Sequence, residues 1–110
     1  MDKKMISLLS LCNKAGKLVA GEYSCEKALQ SGAGQLVIIA IDASQNTKKK
    51  FLNKSFYYRV DAFEYGKREE ISNAIGKENR VTVVITDEGF AKGIKNIITN
   101  DVGVESCERE

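Results

Sequence analysis

A chain of 110 residues with 17 Lys+Arg, 15 Asp+Glu and a formal net charge of +2 is one compact domain, long enough to bury a core and too short for two. No apolar run approaches the ~20 residues of a membrane span, and Met1-Asp2-Lys3-Lys4 leads into an amphipathic segment rather than a signal-peptide apolar region. A cytoplasmic protein with no membrane attachment is therefore expected. The chain has no histidine, which removes the commonest general base near neutral pH and the commonest metal ligand. Cys12, Cys25 and Cys107 are widely spaced and form no CxxC pair, so no metal or redox cofactor is expected, and Cys12 and Cys25 read as small core hydrophobes.

Met5, Leu8, Leu9 and Cys12 fall at i, i+3, i+4 and i+7, which predicts a helix from about Lys3 to Lys14. Lys17 to Ala20 predicts a short strand. Gly21 then opens a helix with Glu22 in its first turn and Cys25, Ala28 and Leu29 on its buried stripe; Gly32 and Gly34 end it. Leu36 to Ile41 is a continuous apolar run rich in β-branched residues, the pattern of a strand covered on both faces. Asp42 and Ser44 are turn and cap residues before a lysine-rich helix, roughly Asn46 to Lys54, with Phe51 and Leu52 inward. Phe56 to Val60 predicts a third strand. Lys67 to Ile75, ending at Gly76, predicts a further helix, Val81 to Thr86 a fourth strand, and Asp87 the cap of a last helix with Phe90, Ile94, Ile97 and Ile98 on one stripe. From Asp101 the chain is acidic and weakly patterned, so residues 1–100 form the domain and 101–110, with Cys107, an acidic frayed tail. Helices alternating with strands favour a three-layer α/β/α sandwich around a mixed four-stranded sheet.

The familiar phosphate motifs fail. Gly16 to Gly21 has P-loop spacing, but Glu22 and Tyr23 stand where Lys and Ser/Thr belong, and a carboxylate there repels phosphate. Gly32-Ala33-Gly34 begins like a dinucleotide fingerprint, yet Val37 replaces the third glycine and the segment follows a helix and precedes a strand. Glu69/Glu70 and Asp87/Glu88 are adjacent, about 100° apart around a helix, so neither pair is an acid/base dyad, and they suit first turns.

One constellation survives. Tyr23, Ser24 and Lys27 share a face of the Gly21 helix, opposite Cys25 and Ala28. Helical side chains lean toward the N-terminus, so Lys27 reaches back over the first turn, whose free N–H groups favour an anion. The same spacing also describes a surface helix with a snorkelling lysine. A second candidate, the basic loop Gly76-Lys77-Glu78-Asn79-Arg80, feeds the fourth strand and reads either as a ligand loop or as a polar turn. Charge is lopsided: residues 1–60 hold ten basic and four acidic side chains, residues 61–110 seven and eleven, which suggests a basic face for a polyanion.

With these pieces placed, the chain resembles the kink-turn-binding ribosomal protein family over nearly all of residues 3–100. The likeness runs through Gly21, Lys27-Ala28-Leu29, Leu36-Val37-Ile38-Ile39-Ala40, Asp42-Ala43-Ser44 and Ile71…Ala74-Ile75-Gly76. The stretches DASQNTKKK, IGKENRV and ITDEGFAK resemble its bacterial YlxQ-type branch. The resemblance implies a non-enzymatic protein that binds kink-turn RNA, a sharp bend built on sheared G·A pairs, with a link to the ribosome. It places Gly21, Glu22, Tyr23, Ser24, Lys27 and Ser44 at the RNA, and Lys77, Asn79 and Arg80 in a loop that closes over a flipped-out base. Many family members carry Asn-Glu or Lys-Gln/Ser where this chain has Tyr23-Ser24, and Glu22 adds a negative charge beside the site. A monomer is expected. The alternative is a protein-interaction module on the same fold, with Tyr23 as an apolar anchor for a ribosomal or transcription partner.

Overall fold

The computed structural model describes residues 2–102. Along them run α1 (Lys3–Lys14), β1 (Leu18–Ala20), α2 (Glu22–Gln30), β2 (Leu36–Ile39), α3 (Gln45–Tyr58), β3 (Asp61–Glu64), α4 (Arg68–Ile75), β4 (Thr82–Ile85) and α5 (Glu88–Val102). The strands form one mixed sheet in the order β1-β4-β2-β3, antiparallel except for the parallel pair β2/β3. Parallel neighbours need a long crossover, and α3 supplies it. The α2 and α3 helices pack on one face of the sheet, and α1 and α5 on the other with α4 against α1. The expected three layers and mixed four-stranded sheet are thus present.

The two inner strands explain the apolar runs. Every residue of β2 and β4 is buried, with Val37 paired to Val84 and Ile38 to Val83. Such strands need a hydrophobic side chain at every position rather than at alternate ones. Ile41 lies beyond β2 and is 45 % exposed, so the buried strand is shorter than the apolar run. Gly34 is buried, and a Cβ there would stand 3.0 Å from Leu29 Cδ2 and 3.2 Å from Val84 Cγ1. It serves close packing of α2 on β4, not phosphate binding.

The third strand is displaced from its expected place. Phe56-Tyr57-Tyr58 continues α3, and β3 is Asp61–Glu64. Aromatic residues favour strands when half-buried on a pleated surface, but here Phe51, Ser55 and Tyr58 follow one another at i+4 and i+7 and give α3 its inward stripe. Arg59 ends the helix in the left-handed region at φ 61°, and only then does the chain extend, with Ala62 and Phe63 buried. Asp61 and Glu64 at its ends hide this strand from a hydrophobicity scan.

Capping follows the residue chemistry. The Ser44 hydroxyl accepts from Thr47 N–H at 3.1 Å and caps α3, and Asp87 Oδ2 accepts from Phe90 N–H at 2.9 Å at the start of α5. Gly76, at φ 70°, closes α4, with its own N–H and that of Lys77 bonded back to Asn73 and Ser72 carbonyls. The expected tail overlaps α5 at Asp101 and Val102, which are helical; its remainder, including Cys107, lies outside the described residues.

Cys12 and Cys25 are fully buried. Burial, reinforced by Asp87, pushes the Cys12 thiol up to about 11, and burial with Glu22 and Glu26 pushes Cys25 up to about 12. Native protein at pH 8 is therefore expected to leave the peptides carrying these two thiols unalkylated by iodoacetamide, while urea-unfolded protein reacts at both. Because both pKa values are raised above the ordinary 9.0, their contribution to stability is full below pH 9 and declines as pH rises toward 11–12. Urea melts at pH 8 and pH 10.5 test the sign.

Candidate nucleic-acid interface

The two segments singled out in the sequence, 55 residues apart, are brought together by one carbonyl. Thr82 O accepts from Gly21 N–H at 3.1 Å and from the Cys25 thiol at 3.4 Å. This fixes the first turn of α2 onto the start of β4, two residues past Arg80. A Cβ added at Gly21 would lie 3.8 Å from Arg80 Nε and 4.0 Å from its Cδ, so the arginine side chain runs alongside the glycine. Gly21 has φ 95° and ψ 151°, a conformation essentially reserved for glycine. Gly21→Ala is expected to cost about 1–3 kcal/mol of stability through strain at this φ/ψ, measured by chemical denaturation.

On α2 itself Glu22, Tyr23, Ser24 and Lys27 are exposed. The Lys27 ammonium sits 5.5 Å from the centre of the Tyr23 ring, so aromatic plane and cation form one unit. Glu22 does not face this unit unopposed: Lys50 of α3 pairs with it at 3.4 Å and also with Glu26. The Lys50 hydrogen bond holds the Glu26 carboxyl below its usual range. The negative charge expected to disturb the site is thus partly offset from α3, one ammonium serving two carboxylates.

The loop is rigidly built. Arg80 N–H donates to Ser72 Oγ at 2.8 Å, and that hydroxyl donates to Arg80 O at 3.2 Å. Arg80 Nη1 donates to Glu78 O at 2.8 Å, while Nε is covered and lacks a hydrogen-bond partner among the described residues. Asn79 adopts φ 58°, a turn conformation this residue tolerates, and its Oδ1 accepts from Arg68 Nη1 at 3.3 Å. Lys77 is exposed at the mouth of a cavity of about 280 Å³ that Asp42, Arg68, Ser72 and Asn79 help to line.

The model of the ribosomal protein L7Ae/L30e/S12e/Gadd45 family matches residues 3–95. The chain belongs to that family. It is 41 % identical over 96 residues to RNA-binding protein YlxQ of Enterococcus faecium, covering 87 % of this chain and 92 % of that one. It is 40 % identical over 91 residues to RNA-binding protein YlxQ of Bacillus subtilis (strain 168), covering 83 % and 91 %. These two relatives place it in the bacterial YlxQ-type branch. Large ribosomal subunit protein eL30 of Branchiostoma belcheri is 32 % identical over 99 residues, 88 % of this chain and 87 % of that one. A solved structure from Bacillus halodurans C, of a protein with unknown function, superposes with a TM-score of 0.84 at 38 % identity, covering 88 % of this chain and 98 % of that one.

Within this family member the sequence-nominated residues divide into two sets. Gly21, Glu22, Tyr23, Ser24 and Lys27 lie along the first turns of α2 with Arg80 alongside Gly21, whereas Lys77 and Asn79 line the cavity shared with Asp42 and Arg68. Ser44 is occupied: its hydroxyl bonds both Thr47 N–H and Thr47 Oγ1, at 3.1 and 3.0 Å, which makes it a helix cap first. Two supporting residues, Arg68 and Ser72, escaped sequence reasoning, and Asp42 was read only as a turn and cap residue. Asp42 Oδ1 accepts from Arg68 N–H at 2.8 Å and its carbonyl from Arg68 Nη2 at 3.4 Å, tying the β2 end to α4, and Ser72 pins Arg80. Asp42 was legible as a cap, but the helix whose first turn it binds is α4, 26 residues on.

Proposed function

We propose that this chain is a non-enzymatic, cytoplasmic RNA-binding protein that recognises kink-turns, including those of ribosomal RNA, through the α2 mouth and the α4–β4 loop. The single observation carrying this reading is that the Arg80 side chain runs alongside Gly21, which joins two candidate segments distant in sequence. Regular A-form RNA buries its base edges in a groove that side chains cannot read; a kink splays them toward a short helix. Lys27 then meets guanine acceptors, Ser24 hydrogen-bonds a base edge or sugar, and the Tyr23 ring stacks rather than offering an amide's paired contacts. Lys77, Asn79 and Arg80 close on the backbone and the extruded base. The YlxQ names of the relatives and the ribosomal family support the RNA partner.

Gel-shift titration of a kink-turn RNA against the same RNA with its sheared pairs replaced by Watson–Crick pairs tests the proposal. Tight binding to the first and at least tenfold weaker binding to the second is expected. Equal affinities at low salt overturn it. The exposure of Tyr23, 73 %, favours one rival, an aromatic-anchored protein interface. RNA binding weakens linearly in log K with log salt, whereas an apolar anchor holds its affinity.

A further inference from the structure

We infer that the outer face of α3 is a second RNA contact, a track of cations ending in an aromatic platform that stacks bases of an unpaired strand running away from the α2 mouth. This rests on the RNA-binding reading above.

Phe56 and Tyr57 are 71 % and 77 % exposed. Two large adjacent rings in water are a surface without its occupant. Tyr57 is held in orientation by the half-buried Tyr58, whose ring meets it edge-on at 4.9 Å between centroids. Lys49 and Asn53 precede the rings at i−7/i−8 and i−3/i−4, so they occupy the same stripe, and both are exposed. Lys54 and Arg59 flank the rings.

Charge selects the occupant. Lys48 pairs with Glu64 at 3.4 Å, and Lys50 with Glu22 and Glu26. Among the described residues Lys49 and Arg59 have no ion-pair partner, Lys54 acts on Glu26 through space without a close pair, and no acidic side chain belongs to α3. A second copy seated symmetrically on this face brings the same cations against themselves. A nucleic-acid strand brings a phosphate for each cation and a π-face for each ring, the combination single-strand binders use. The track also starts in the right place. Its first turn follows Asp42, which bonds Arg68 at the loop, and the rings lie about 18 Å down the helix at 1.5 Å per residue.

The test uses the full chain and fluorescence anisotropy with three probes: a blunt kink-turn RNA, the same RNA with a six-nucleotide unpaired extension on either strand, and dodecauridine alone. One extension is expected to tighten wild-type binding by on the order of tenfold. Phe56→Ala/Tyr57→Ala is expected to bind the blunt RNA as wild type does and to lose that gain. An extension without effect in the wild type, or a gain kept by the double variant, overturns the inference. So does a dimer in sedimentation that the double variant abolishes while the extension changes nothing. If the blunt RNA fails to bind, the kink-turn reading fails by itself and dodecauridine decides: binding lost in the double variant supports the platform, and no wild-type binding overturns it.

Discussion

Lys27→Ala combined with Arg80→Ala is expected to weaken kink-turn binding by about 2–6 kcal/mol, at least roughly 30-fold, since each cation that reads a base edge is worth about 1–3 kcal/mol. The Lys27 ammonium is exposed and, among the described residues, meets only the Tyr23 ring, so its removal leaves the fold intact. Arg80 is held by its backbone through Ser72, and truncating its side chain keeps the loop anchored. Filter binding at several salt concentrations checks both the size and the cause: the slope of log K against log salt should fall by about one for each phosphate that the variant no longer neutralises. A double variant with wild-type affinity and slope removes the α2 mouth from the interface. Singles that sum to the double identify independent contacts, whereas a deficit identifies coupling through the shared turn at Gly21.

Phe51→Ala is expected to destabilise the protein by about 3–5 kcal/mol, the range for truncating a buried aromatic. Phe51 is fully buried on the inward face of α3. Against a total stability of about 5–15 kcal/mol for a domain, that change moves the urea midpoint far down. Phe56→Ala, at a position 71 % exposed, is expected to stay within about 0.5 kcal/mol of wild type. The pair separates the observed helix from the strand that the aromatic run suggests, in which Phe56 would contribute to the core. Comparable losses for the two variants contradict the helix register.

Much of the fold was legible because its strongest signals are local. Unbroken apolar runs in β2 and β4, helical stripes in α1 and α5, and caps at Ser44, Gly76 and Asp87 all express short-range chemistry in residues a few positions apart. The FYYRV error has the opposite origin: aromatic composition argued for a strand while the spacing of Phe51, Ser55 and Tyr58 argued for helix, and packing against β2 and β3 decided between them. The site was half legible. Tyr23, Ser24 and Lys27 share a face by helical geometry alone. That Arg80 lies against Gly21, that Lys50 pairs with Glu22 and Glu26, and that Asp42 serves α4 are consequences of strand order, which no local spacing carries.

The most direct measurement of the central claim is energy transfer between donor and acceptor dyes on the two arms of a kink-turn RNA, at a magnesium concentration too low to bend it unaided. A protein that prefers the kinked conformer shifts the population by the ratio of its affinities for the two forms. Titration with the wild-type chain is expected to drive the RNA to high transfer, saturating at one protein per RNA, while RNA with its sheared pairs replaced stays extended. Saturable binding that leaves transfer unchanged, or an equal rise with both RNAs, contradicts kink-turn recognition by this surface.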